Sequence, residues 1–177
     1  MRVLHVVVPA GIDDPTRPSG GNVYDRRVCN GLVELGWDVH ELPVEGPWPC
    51  ADPDALEQLR ETLASVPDDA VMLIDGLVAS ASADILVPAG RRLRPVILVH
   101  LPLHLRGEDA VLATARAVVT TSAWARTQLL DAYALDATAV HVIAPGTDCA
   151  DPTDGTSGGE KLLCVAPVSR HKGQDVL

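Results

Sequence analysis

The chain has 177 residues, 47% hydrophobic and 21% charged, with 24 acidic against 14 basic side chains and a net charge of −10. That length holds one domain with a sizeable core and the start of another, and the acidity excludes a general basic surface for nucleic acid. With three Trp, two Tyr and no Phe, the core must be aliphatic. An anionic small molecule stays open as a ligand, because a few local cations or backbone amides hold one even in an acidic protein.

The first apolar run, RVLHVVVPA (2–10), reads as a strand. It is short and no small-residue cleavage site follows it, so it is not read as a signal peptide. No run is long enough to cross a bilayer, and the expected location is the cytoplasm. A long loop ending in Gly20-Gly21 leads into a helix over 21–35, with Val23, Val28, Leu32 and Leu35 on one face and Gly36 at its end. Further strands are expected at 38–44, 70–77, 95–102, 117–122, 139–145 and 162–168. Helices are expected at 54–65, capped by Asp52 or Asp54, at 79–89, at 108–115, and at 122–134, capped by Ser122. Most strands are near-continuous in Val, Ile and Leu, the signature of a parallel sheet covered on both faces. The alternation predicts an α/β, Rossmann-like, doubly wound and mostly parallel sheet.

The stretch 146–160 is rich in Gly, Asp, Thr and Pro and nearly free of apolar residues, so it reads as a linker. The expected organisation is a first domain over 1–149, a linker over 150–160, and the first strand and helix start of a second domain over 161–177. The apolar 162–168 strand would need covering, by its own domain or by a neighbouring chain.

Several motifs carry chemistry. Two glycines at a helix N-terminus let phosphate or sugar oxygens reach backbone N–H groups; equally, Gly20-Gly21 reads as a flexible loop tip before a helix start. His100 and His104 have helical i, i+4 spacing, but Pro102 between them argues against zinc. His100 stands at the carboxyl end of a central strand, the edge where open α/β sheets bind ligands. Asp52-Pro53-Asp54 fits D-x-D but is better read as a helix cap, and Asp13-Asp14 and Asp68-Asp69 as turns. The basic segment RRLRP (91–95) reads as a solvated loop or as a contact to an anionic membrane. In SRHKG, Arg170 and Lys172 beside Gly173 suit a diphosphate or are plain surface charges. The cysteines Cys29, Cys50, Cys149 and Cys164 are dispersed and form no disulfide framework, and Cys29 reads as packed in its helix.

Taken in order, GGNVYDRRVCNGLVELGWDVH, VHLPLHL, VVTTSAWARTQL, HVIAPGTD and LLCVAPVSRHKGQDVL resemble successive segments of a retaining family 4 glycosyltransferase of the GT-B fold. The resemblance implies two Rossmann-like domains facing across a cleft, this chain forming the acceptor-side one. It implies transfer of a sugar from a nucleotide-diphosphate sugar to a small-molecule or glycan acceptor with retention of configuration. Gly20 and Gly21 would approach the donor diphosphate and sugar, and Asn22 and Tyr24 would flank the acceptor. His100 would position sugar hydroxyls. Arg170 and Lys172 would neutralise the leaving diphosphate, with neither metal nor other cofactor. The chain departs from the family at Pro145-Gly146-Thr147-Asp148, where Asn-Gly-Val-Asp is common, and it lacks the Glu-containing donor motif. The isolated chain is therefore expected to need a second domain or a partner chain for turnover. The alternative is a non-catalytic Rossmann-like binding module, with self-association through the 162–168 strand as one route to an oligomer.

Overall fold

The computed structural model of the chain describes residues 2–166, 168 and 172–176. Its elements run β1 (Arg2–Pro9), α1 (Gly20–Glu34), β2 (Trp37–Val44), α2 (Pro53–Ser65), β3 (Val71–Asp75), α3 (Gly76–Ser80), α4 (Ala83–Ala89), β4 (Arg94–Val99), α5 (Glu108–Thr114), β5 (Ala117–Thr120), α6 (Ala123–Ala132) and β6 (Val140–Val142). The strands form one six-stranded sheet in the order β2-β1-β3-β4-β5-β6, every pair parallel. The fold is α/β and Rossmann-like, as the sequence pattern predicts.

Strand order fixes where the helices go. From β1 the chain steps outward to β2, then returns past β1 to β3 and continues in that direction to β6. Right-handed crossovers that step in opposite directions land on opposite faces of a sheet. The packing obeys this rule. Leu59 and Leu63 of α2, Val78 of α3, Leu86 of α4, Leu112 of α5 and Leu129 of α6 share one core with Val7, Ile74, Ile97 and Val118. On the other face α1 is the one helix that packs among the described residues, its Cys29 against Leu4, Val6 and Val8. The sheet beyond α1 therefore keeps an apolar groove of about 280 Å³, lined by Leu4, Val28, Leu32, Leu73, Leu98 and Val119 among others.

Local chemistry sets the boundaries. Asp52 caps α2 by accepting from the Ala55 amide at 2.9 Å, and Ser122 caps α6 through Ala125 at 3.1 Å. Gly36, at φ 81°, closes α1 in the left-handed conformation that side chains resist. Arg92 ties off α2: its guanidinium donates to the carbonyls of Val66 and Leu63 and pairs with Asp68.

Five expectations are corrected. The buried residues of α1 are Tyr24, Asp25 and Cys29, with Val28 and Leu32 half-buried beside them, whereas Val23 and Leu35 are exposed. Helix 79–89 is two helices, and strand 70–77 stops at Asp75, because the Asp75 carboxylate caps a new helix at once. Strand 139–145 is only Val140–Val142; the Ile143 amide still donates to the Thr120 carbonyl of β5 at 2.9 Å, and the residues after it turn away. Finally, 162–168 forms no strand among the described residues: Leu162, Leu163 and Val165 are 87, 89 and 85% exposed. An apolar run becomes a strand only when a neighbour accepts its backbone bonds.

Burial separates the thiols. Cys29 is 1% exposed and its thiol is pushed up to about 11 by burial, with Glu41 adding to the effect, while Cys50, Cys149 and Cys164 are exposed. Mass spectrometry after brief treatment with a thiol reagent at pH 8 is expected to find three labels on the folded chain and a fourth only in denaturant. Early labelling of Cys29 would contradict the packing of α1 described above.

Candidate functional site

Open α/β sheets bind ligands outside the carboxyl ends of their strands, where the order reverses. Here that point lies between β1 and β3. The loop leaving β1 is long but tied down: Asp14 accepts from the amide and hydroxyl of Thr16 at 2.8 and 2.7 Å. Arg26 of α1 forks onto Asp13 at 2.8 and 2.6 Å and reaches Glu41 of β2 at 2.5 Å. Ser19 then caps α1, accepting from the Asn22 amide at 3.4 Å.

At this edge three side chains from three elements meet. His100, one residue past β4, has its Nε2 2.8 Å from Oδ1 of Asp25 on α1 and 3.7 Å from Oδ2 of Asp75 at the end of β3. Both carboxylates are buried, at 3 and 4% exposure. Asp75 is oriented by its other oxygen, which accepts from the amides of Leu77 and Val78 at 2.7 and 3.4 Å. The buried Asp25 Oδ2 receives no N–H or hydroxyl hydrogen bond among the described residues, and the hydrogen bond between the Asp25 and Asp75 side chains favours a proton on Asp75. Burial raises the Asp75 pKa, the charge of Asp25 raises it further, and His100 opposes both. For His100, burial is the largest single influence and works against the charged ring. The Asp25 hydrogen bond and the charges of Asp25 and Asp75 together outweigh it, so the pKa rises.

The glycine pair divides into two different residues. A Cβ at Gly21 would lie 3.2 Å from Cδ2 of His100, whereas one at Gly20 would meet nothing within 4 Å. The group that approaches the α1 backbone at Gly21 is thus the imidazole of His100. Tyr24, one turn on, meets that ring edge-on at 5.4 Å between centroids and donates its hydroxyl to the Ile143 carbonyl at 2.8 Å. Arg27 grips Asp148 with both terminal nitrogens, at 2.8 and 2.5 Å. These two ties hold residues 143–148 against α1 and shape a cleft of about 460 Å³ that Gly20, Val23 and Tyr24 help to line.

The next loop is fixed from beneath. Glu108, fully buried, accepts from the Leu103 and His104 amides at 3.2 and 2.6 Å, the Ser80 hydroxyl at 2.6 Å and the Tyr133 hydroxyl at 2.7 Å. His104 adopts φ 55° and turns to Tyr133, so it does not pair with His100.

Of the residues singled out in the sequence, Gly20, Gly21, Asn22, Tyr24 and His100 gather on the first turns of α1 and the end of β4. Lys172 is exposed, and no hydrogen bond or ion pair joins it to them among the described residues. Arg170 lies outside the described residues. Asp25 and Asp75 were not anticipated. Asp25 falls in phase with Cys29, Val28 and Leu32, and a charge inside an apolar stripe was the available signal. No protein-family model matches the chain, and no curated protein matches it.

The two glycines can be tested against each other. Gly20→Ala gains helix propensity at no steric cost and is expected to be neutral or to stabilise by up to about 1 kcal/mol. Gly21→Ala has the same propensity gain but crowds His100, and is expected to fall ~1–2 kcal/mol below Gly20→Ala. Urea denaturation of both variants reads the difference; equal stabilities would remove His100 as the reason for Gly21.

Proposed function

We propose that this chain forms the acceptor-side half of a retaining glycosyltransferase site that uses a nucleotide-diphosphate sugar. One observation carries the reading. Segments far apart in the sequence, at 20–24 and 143–148, line one cleft at the carboxyl edge of the sheet, His100 packs behind it against Tyr24 and Gly21, and each resembles a segment of that family. The switch point of a doubly wound sheet is where such folds hold nucleotide ligands, and the first turn of α1 offers amide groups and a favourable dipole to an anion.

In this reading Gly20 gives donor oxygens access to the α1 backbone. His100, held by Asp25, presents its ring to sugar hydroxyls. Asn22 and the ring of Tyr24 flank the acceptor; the Tyr24 hydroxyl is already occupied by the Ile143 carbonyl. Arg170 and Lys172 would neutralise the leaving diphosphate, a large effect where charge develops. Cytoplasmic location and the absence of a nucleic-acid partner belong to the same reading. Among the described residues no helix is long and apolar enough to cross a membrane.

The binding-module alternative has an observation of its own, the apolar groove on the α1 face, which fits a protein partner better than a sugar. Saturation-transfer NMR with a panel of nucleotide-diphosphate sugars distinguishes the two. The transferase reading expects saturation of sugar protons above base protons, loss of that signal in His100→Ala, and no turnover by the chain alone. If no member of the panel is saturated at millimolar concentration, or His100→Ala behaves as wild type, the transferase reading fails and the binding module stands.

A further inference from the structure

Three ionisable side chains from three segments meet at the carboxyl edge. One oxygen of Asp25, one of Asp75 and a ring nitrogen of His100 lie within 4.8 Å of one another. We propose that this cluster is a pH-sensitive latch: it holds the first turns of α1 on the sheet while the two carboxylates share a proton, and loosens them when that proton leaves.

The geometry calls for the proton. Two buried carboxylates beside a single imidazole carry one negative charge too many, and like-charged acids in one site resist ionising together. The proton falls to Asp75. His100 Nε2 stands 2.8 Å from Asp25 but 3.7 Å from Asp75, so the ring favours negative charge on Asp25. Oδ1 of Asp75 accepts from the Leu77 and Val78 amides, which leaves Oδ2 to carry the proton and share it with Asp25. Burial, and after it the charge of Asp25, push Asp75 up to about 7. The charges acting on Asp75 are Asp25 from α1 and His100 from the segment after β4, and those acting on His100 are the same two carboxylates. Tyr24, which touches the ring, is raised above its ordinary value by burial and by Asp25, and stays neutral through this range.

Loss of the proton removes the hydrogen bond between the carboxylates and sets two buried like charges against each other. Asp75 is pinned by its cap on α3, so the strain falls on Asp25 and the turn of α1 around it. That turn carries Tyr24 and Arg27, which hold residues 143–148 across the cleft of about 460 Å³. Both titrations act in one direction. An acid raised by folding favours the folded chain most below its ordinary value of 3.8, and that favour is gone once pH has risen through about 7. His100, raised from 6.5, likewise withdraws its share as pH rises.

Asp75→Asn keeps a capping oxygen on α3 and donates permanently to Asp25, so it mimics the closed latch and cannot titrate. Urea denaturation of this variant and of the natural chain from pH 5 to pH 9 is the test. The natural chain's folding constant, relative to the variant's, is expected to fall at least ~10-fold between pH 5 and pH 7, since one proton allows up to about tenfold per pH unit. A ratio that does not change with pH would overturn the latch. Carbon NMR of the aspartate carboxyls in the natural chain keeps the test open if the variant does not fold. One carboxyl is expected to titrate near pH 7, with the backbone amides of Gly21, Asn22 and Tyr24 following the same curve. No carboxyl step above pH 6, or a step that these amides ignore, would equally overturn it. Neither readout contains a sugar nucleotide, so the latch does not rest on the transferase reading and its failure leaves that reading untouched.

Discussion

The contact between His100 and Asp25, 2.8 Å across the bare backbone of Gly21, organises the site. It joins the helix that follows the first strand to the loop that follows the fourth. A buried acid at this point in an apolar helix face would be costly without a partner. The imidazole supplies the partner, and its position then dictates glycine at 21 and sets the ring of Tyr24 against it. Through its hydroxyl, Tyr24 in turn anchors Ile143 as the chain leaves the sheet. One charged bond thus aligns three segments that are distant in sequence.

The cluster sits there because of topology. Reversal of strand order between β1 and β3 opens a crevice at the carboxyl edge. Asp75 ends β3 on one side of it, and α1 delivers Asp25 from the other. The same reversal assigns α1 to one face and the remaining helices to the opposite one. Site and uneven covering of the sheet are two results of a single chain path.

Much of the fold was legible in the sequence because continuous Val, Ile and Leu runs separated by capped helices leave little choice but a parallel sheet. Asp52, Ser122 and Gly36 marked helix ends through local chemistry that owes nothing to tertiary structure. Errors arose where long-range contacts decide. Val23 and Leu35 look like core residues by period, yet the stripe actually buried runs through Asp25, whose partner is 75 residues away. Asp75 reads as part of strand 70–77, although its cap is local: the carboxylate accepts from the Leu77 and Val78 amides just beyond it. At the site, His100 was found from its position at a strand end. The reason for Gly21 lies in a ring 79 residues away, which no local pattern reveals. The 162–168 run has strand composition, but strand formation is a property of pairs.

The uneven sheet has a consequence for the chain as a colloid. Its apolar groove faces outward from a molecule whose net charge is −10, so copies approaching groove to groove must first overcome like-charge repulsion. That repulsion reaches about 30 Å at 0.01 M salt and only about 3 Å at 1 M. Dilute buffer keeps the grooves apart by charge, and concentrated salt both collapses this barrier and, with sulfate or phosphate, strengthens apolar adhesion. Like charge therefore opposes the approach of one groove to another, and added salt weakens that opposition.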